Sequence, residues 1–459
     1  MILQDQVHSR SISLLPHANR KFFTHVCCVT RSPNTSKSTH LHYASSLTSV
    51  MHLRPWTPTT ALPPLFNTTL AIAYALSILA YPPKNRKLAF IILCLPVCHA
   101  FSRMLDLTPW FTVNDTFGRF LYIWLFHMSH TFLLLEFTPN ITGKDDDDWR
   151  NILQQAYKVL FARHPSSFLP PSAVSKKSEN KKRGRRRHGI GRRDFCLHHI
   201  VKAGLMIGIV WVWDTYIDPP TYTLSSFDFD RASFLRRIPQ SLTYSEILTR
   251  LTMTWDICIG DMLYFESWHS LFGILFVGIL RLDEAKEWEL GLFGSLRDSW
   301  TGRRYWGMYW HDFIYESFSA HVKVLTRSWL KFKRGKAATR ILENALVFVA
   351  SGLMHSLVRW VQTGGQGEIW CVAIWYSAQI IPIMIEGVVQ GIWARSALRV
   401  RLQRRLGERN TGRLDRAAGY MWVFGWMFWS VPKYLIVRSS WEMAGLKSKY
   451  SDFLLDVRS

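Results

Sequence analysis

Apolar residues run in blocks along this chain, and charged residues collect between the blocks instead of spreading evenly over helical faces. A run of about 20 apolar residues is what a helix needs to cross hydrocarbon. The blocks predict about eight spanning helices, at 62–81, 87–105, 117–138, 197–217, 252–280, 341–362, 368–393 and 417–437, and tolerate a count of 7–10. The 252–280 run holds Asp256, Asp261, Glu266 and His269. Unpaired charge in lipid is expensive, so this run is expected as a broken helix or as two short ones.

The fold class is therefore expected to be all-α and polytopic in a membrane. Residues 1–55 are expected as a disordered extension. The first 50 are rich in Ser, Thr and His, hold Asp5 as their only acid and lack an apolar run long enough for a secretory signal. A transit peptide and a start at Met51 are the other readings of this stretch. Residues 56–440 form the membrane domain, with 139–196 as a basic cytosolic loop and 281–340 as a loop with interfacial helices, and 441–459 is a C-terminal tail. No internal repeat is visible.

Composition sharpens this picture without changing it. Of 459 residues, 48% are hydrophobic, and the 21 tryptophans and 16 tyrosines suit the boundary between hydrocarbon and headgroups. The net charge of +23 raises nucleic acid as a partner, but the charge lies between the apolar runs. Its densest cluster, Lys176 to Arg193, reads as a cytosolic loop beside spans, attracted to anionic lipid; the partner is a bilayer and no nucleic acid. Loops 139–196, 281–340 and 393–416 are basic while 106–116 and 363–367 contain no Lys or Arg, an alternation that puts the basic loops in the cytoplasm. The termini then fall on the other side, which the basic residues near the C-terminus fit poorly, so terminal orientation stays open. The acidic run Asp145 to Asp148 reads as solvated loop. Seven scattered cysteines have neither zinc spacing nor a disulfide framework, so no metal site is expected.

Two segments carry candidate chemistry. In ENALVFVASGLMHSLVRW, Glu343 to Trp360, His355 closes a nearly unbroken apolar stretch. At about 100° per residue, Asn344 and Ser351 share its face. A polar stripe within a span must face protein or water, and an ionisable group there is a site candidate. A free imidazole, with a pKa of about 6.5, can accept a proton at neutral pH. The competing reading is a structural hydrogen bond between helices. In LFGSLRDSWTGRRYWGMYWHDF, Leu292 to Phe313, arginines and aromatics alternate densely before His311 and Asp312. This segment also reads as an interfacial helix with an aromatic belt.

The second segment resembles the wax-synthase-like branch of the membrane-bound O-acyltransferases, through Phe293, Gly294, Ser295, Leu296 and Arg297, then Tyr305, Trp306, Gly307, Met308, Tyr309, Trp310 and His311. Met308 and Tyr309 stand where that family has two arginines; Arg303 and Arg304 lie just upstream. Ser351, Gly352, Leu353, Met354 and His355 are similar to the family's later motif within a span. The resemblance implies helices around an intramembrane reaction chamber, in the endoplasmic reticulum, with no tightly bound cofactor. It implies an acyl-CoA co-substrate, acetyl-CoA being favoured by similar fungal proteins that acetylate terpenoid and related secondary metabolites, and a lipophilic alcohol as acceptor. His355, His311 and Asn344 become the expected catalytic residues, and Arg303, Arg304, Trp306 and Trp310 the expected donor-binding ones. The acceptor and the oligomeric state are not legible. A long-chain wax ester synthase is the alternative within this class. No HxxxD and no GxSxG occurs, so the soluble routes to the reaction lack their signatures. A proton-coupled transporter, using the buried His and acidic residues as a path, and a structural scaffold are the rivals outside the class.

Overall fold

The computed structural model describes residues 56–140, 148–162, 191–217, 243–365 and 369–456. Every element among them is helical: α1 Leu62–Ala80, α2 Arg86–Ser102, α3 Phe111–Met128, α4 Asp148–Leu160, α5 Arg192–Val212, α6 Tyr244–Ile279, α7 Tyr315–Lys323, α8 Ala337–Gln362, α9 Ile369–Ser377, α10 Ile380–Ala394 and α11 Ala397–Asp456. Gly407, at φ +80°, interrupts α11. The expectations for residues 1–55, for Asp145 to Asp147 and for the Lys176 cluster up to residue 190 fall outside the described residues. Helix α11 runs on to Asp456.

Five stretches, Leu62–Ala80, Arg192–Ile217, Tyr244–Ile279, Ala337–Gln362 and Trp370–Ala394, are long and apolar enough to cross a bilayer. The other three expected spans are helical but differ in kind. Helix α2 has 17 residues with Pro96 inside it, α3 carries Asn114, Asp115 and Arg119, and the 417–437 part of α11 is rich in Trp, Tyr and Gly. Leu65, Phe66, Ile91, Leu205, Ile374 and Ile392 are exposed, as lipid-facing side chains are.

The described residues form two compact units. One comprises 56–140, 148–162, 295–365 and 369–423. Its apolar core gathers Leu79 of α1, Leu93 of α2, Leu121 and Met128 of α3 and Leu160 of α4. Helix α1 ends where Pro82 and Pro83 forbid its continuation, and Asn85 caps α2 by accepting from the Leu88 amide at 3.0 Å. Beyond α3 the chain makes a π-turn, Ser129–Leu134. Arg86 donates to the Phe132 and Phe137 carbonyls, each at 3.1 Å, supplying partners for oxygens that a helix end leaves open. Ser129 Oγ lies 2.9 Å from His321 Nε2 on α7, while His321 Nδ1 lies 2.7 Å from the Ser317 carbonyl. A carbonyl only accepts, so Nδ1 carries the proton and Ser129 donates to Nε2. Helix α3 meets α8 at Gly118, which faces Val358, and Gln362 donates to Asp115 at 3.0 Å.

The other unit comprises 191–217, 243–294 and 424–456. Here the expected interruption at 252–280 does not occur: α6 stays helical through Ile279, with π-turns at Asp256–Gly260 and Ile274–Ile279. A π-turn keeps backbone groups bonded within the helix, whereas a break exposes them where no water can satisfy them. Of the acids in this run, Glu266 is paired, and so is Glu246 just before it. Glu266, 3% exposed, accepts from Lys202 on α5 and from the Phe293 amide at 2.8 Å. Glu246 and Arg250, both buried, pair one turn apart at 3.0 Å. Glu266→Ala is expected to cost about 3–5 kcal/mol by stranding Lys202 and the Phe293 amide, read as a fall in the thermal midpoint of the solubilised protein. Glu266→Gln, whose amide oxygen still accepts, should fall between. An unchanged midpoint for the alanine variant would mean that water takes the place of the carboxylate.

Candidate active site

The first of the two motif segments is organised by capping. Thr301 Oγ1 accepts from the Arg304 amide at 3.0 Å, and Glu386 of α10 accepts from the Gly302 amide at 2.6 Å. These bonds start a turn, Gly302–Arg304, that opens into a π-turn, Tyr305–Tyr309, and ends where Trp310 becomes extended. Tyr305 and Tyr309 are buried beneath it. Trp306 and Trp310 are half-buried, their ring centroids 5.3 Å apart. Of the two positions where the resembled family has arginine, Tyr309 is core and Met308 is exposed.

The expected donor-binding arginines part ways. Arg304 binds Asp298 twice, through the backbone carbonyl at 2.9 Å and the carboxylate at 2.6 Å, and lies 5.0 Å over the Trp300 ring. Arg303 is exposed.

His311 follows Trp310 directly, half-buried between the Trp310 ring at 5.4 Å and the Phe313 ring at 4.8 Å. Burial pushes its pKa down to about 4; Asp312 opposes that shift and Arg119 of α3 adds to it. His311 is therefore neutral at pH 7. It can donate from one nitrogen and accept at the other.

His355 lies in the last third of α8, half-buried, its imidazole flat against the Tyr376 ring of α9, with centroids 4.1 Å apart and planes 3° from parallel. Gly352 makes this possible. A Cβ there would lie 2.8 Å from the Ala373 carbonyl oxygen and 3.1 Å from both the Ala373 Cα and the Tyr376 Cβ. Only hydrogen lets the two backbones approach, and the same approach sets Tyr376 against His355, about one turn beyond Gly352 on α8. Ser351 beside Gly352 is buried. Asn344, on the same face of α8, is exposed; eleven residues put it about 16 Å from His355 along the helix axis, so the two engage different parts of that face.

The two histidines are joined by rings. From His311 the contacts run to Trp310, Trp306, then Trp375 at 6.4 Å, Tyr376 at 4.7 Å and His355, with Phe348 of α8 against Trp306 at 5.6 Å. Trp375, Tyr376 and Phe348 lie in apolar runs, where an aromatic reads from sequence as lipid-facing or core. Only the pairing of α8 with α9 gives them this place.

These elements belong to the stretch that matches a known family. Residues 288–376 match the model of the membrane bound O-acyl transferase family, and the chain is similar to that family through both histidine motifs. Among individual proteins, acetyltransferase nanB of Aspergillus nanangensis is 28% identical over 210 residues, 45% of this chain and 48% of the relative. Acetyltransferase aurG of Calcarisporium arbuscula is 30% identical, over 47% of this chain and 49% of its own length. Acetyltransferase fsoF of Humicola fuscoatra is 30% identical, over 46% and 50%. The chain spans about half the length of the curated relatives it matches. No solved structure matches it.

Proposed function

We propose that this protein is a membrane-bound O-acyltransferase, with acetyl-CoA as donor and a hydroxyl of a lipophilic acceptor, a terpenoid or related secondary metabolite, as the group acetylated. The observation that carries the reading is His355, half-buried within a spanning helix, held flat on Tyr376 and joined through a continuous line of rings to His311. The relatives named acetyltransferases favour acetyl over longer chains. The endoplasmic reticulum, whose membrane would meet both a cytosolic thioester and a membrane-dissolved alcohol, is the compartment we assign.

In this mechanism His355 is the general base. It takes the acceptor's hydroxyl proton as the oxygen attacks the thioester carbonyl carbon. The tetrahedral intermediate collapses with loss of the C–S bond, and the imidazolium returns the proton to the departing CoA thiolate. No acyl-enzyme forms. His311, neutral, donates a hydrogen bond to the carbonyl oxygen as negative charge gathers there, and the ring wall between the histidines keeps water from competing as nucleophile. Arg303 and the ring faces of Trp306 and Trp310 receive the donor, and Asn344 orients the acceptor further along α8. The test is incubation of membranes containing the protein with labelled acetyl-CoA and host lipid extract, followed by identification of the labelled product. Incorporation from palmitoyl-CoA in preference to acetyl-CoA would overturn the acetyl assignment, and incorporation from neither would overturn the reading.

The neutral state of His311 makes a prediction of its own. In the unfolded chain an imidazole protonates near pH 6.5, but in the fold only near pH 4. Its contribution to stability is thus fully present above pH 6.5 and is lost as the pH falls towards 4. His311→Asn should flatten the decline in thermal midpoint across that window and lower transfer severely at pH 7. Identical pH profiles for the two proteins would contradict a buried neutral imidazole.

A further inference from the structure

Where the turn that precedes the ring-lined segment meets α11, an open surface groove of about 340 Å³ is lined by Arg297, Arg413, Arg416, Ala417 and Tyr420, all exposed. We infer that this pocket binds phosphate, and that its ligand is the phosphate-bearing end of the CoA thioester; the choice of CoA rests on the acyl-transfer reading.

The pocket is built from two elements with fixed positions. Arg413, Arg416 and Tyr420 are spaced three and then four residues apart on α11, which puts them on one face of that helix. Arg297 comes from the opposing 3₁₀ turn Leu296–Asp298. Tyr420 Oη donates to the Arg297 carbonyl at 2.6 Å, and Gly419 lies directly against the Trp300 carbonyl, where any Cβ would clash. The turn is therefore clamped to the helix at two points, which brings three arginines from two elements to one groove.

The local acids are engaged elsewhere. Asp298 is held by Arg304. Asp415 accepts from Trp393 Nε1 at 2.8 Å and from Arg399 at 3.4 Å. Among the described residues none of the three pocket arginines forms an ion pair, and Arg413 donates only a long bond, 3.4 Å, to Asn410. Three arginines on one groove, with no acid paired to them among the described residues, make a positive patch that favours an anion. The guanidinium fork matches phosphate oxygens two at a time. Tyr420, 38% exposed, adds an aromatic face beside it. The segment forming one wall, 295–304, leads directly into Trp306, Trp310 and His311, so a donor anchored here by its phosphates enters beside the chain that carries the ring wall.

The same chemistry would accept a phospholipid headgroup, and binding measurements on the full chain in phosphatidylcholine nanodiscs separate the two. With adenosine 3′,5′-bisphosphate as probe, Arg413→Gln/Arg416→Gln is expected to weaken Kd by at least about tenfold. Arg297→Gln should weaken it less, and Arg413→Lys/Arg416→Lys, which keeps the charge but loses the fork, should fall between wild type and the glutamine variant. Arg404→Gln/Arg405→Gln, which removes the same charge from the part of α11 before Gly407, outside the pocket, should leave Kd unchanged. Binding of a fluorescent short-chain phosphatidic acid should be alike in all of them. Unchanged bisphosphate binding by the glutamine variant overturns the inference, as does a loss equal to that of the Arg404/Arg405 control. Loss of phosphatidic acid binding alone would make the pocket a lipid headgroup site. A monodisperse elution profile and an unshifted thermal midpoint certify each variant as folded. Because the readout requires no turnover, failure of acetyl transfer with pocket-dependent binding intact would count against the proposed reaction, not against the pocket.

Discussion

His355→Ala should lower acetyl transfer by about 10²–10⁴-fold, the range a positioned general base supplies, in protein that still inserts and elutes as wild type does. The variant removes an imidazole that stacks on Tyr376 but leaves Gly352 and the α8–α9 approach in place, so the loss belongs to the reaction and not to the fold. His355→Gln sharpens the point. Glutamine can hydrogen-bond like a neutral imidazole but does not accept a proton at neutral pH, so a structural role would be rescued and a basic one would not. The measurement is initial rate with labelled acetyl-CoA and the acceptor identified from the extract, in membranes adjusted to equal protein. Turnover by either variant at the wild-type rate would sink the mechanism, and turnover by the glutamine variant alone would reduce His355 to a structural hydrogen bond.

Gly352→Ala is the second large effect, and it reaches the site through packing. The added methyl lies 2.8 Å from a carbonyl oxygen and 3.1 Å from two carbons of α9, so the helices must separate or slide. Overpacking of this kind costs about 1–3 kcal/mol. A fall in thermal midpoint together with a rate loss larger than the folded fraction explains is the expected result, because sub-ångström displacement of Tyr376 releases the imidazole it supports. Gly387→Ala, also within a spanning helix but with no atom within 4 Å of the methyl group it would add, is the control and should change neither. A Gly352→Ala protein with wild-type stability and rate would show that α9 can yield at no cost.

Part of this was legible in the sequence. Block hydrophobicity marks every expected span as helical because a bilayer demands both length and internally satisfied backbone. His355 and His311 stand out for the same reason, one inside an apolar run and one at the end of an aromatic strip. What the pattern could not supply was partners. Glu266 reads as an unpaired charge until α5 brings Lys202 to it, which is why a break was expected where α6 runs on. Tyr376 reads as one more aromatic in an apolar run until α8 and α9 close on Gly352. Arg304 reads as a phosphate ligand until the turn before it presents Asp298. The arginine pocket joins positions more than a hundred residues apart, and no local periodicity reports such a meeting.

The approach at Gly352 also limits how this site can change through mutation. When two side chains collide, a second substitution that trims the partner can restore the fit. The nearest atom facing Gly352 belongs to the Ala373 backbone, which every amino acid carries, so no replacement at residue 373 removes that collision. Intragenic suppressors of Gly352→Ala are therefore expected to fall elsewhere, at positions that move α9 as a body, and a selection for restored activity should recover none at residue 373.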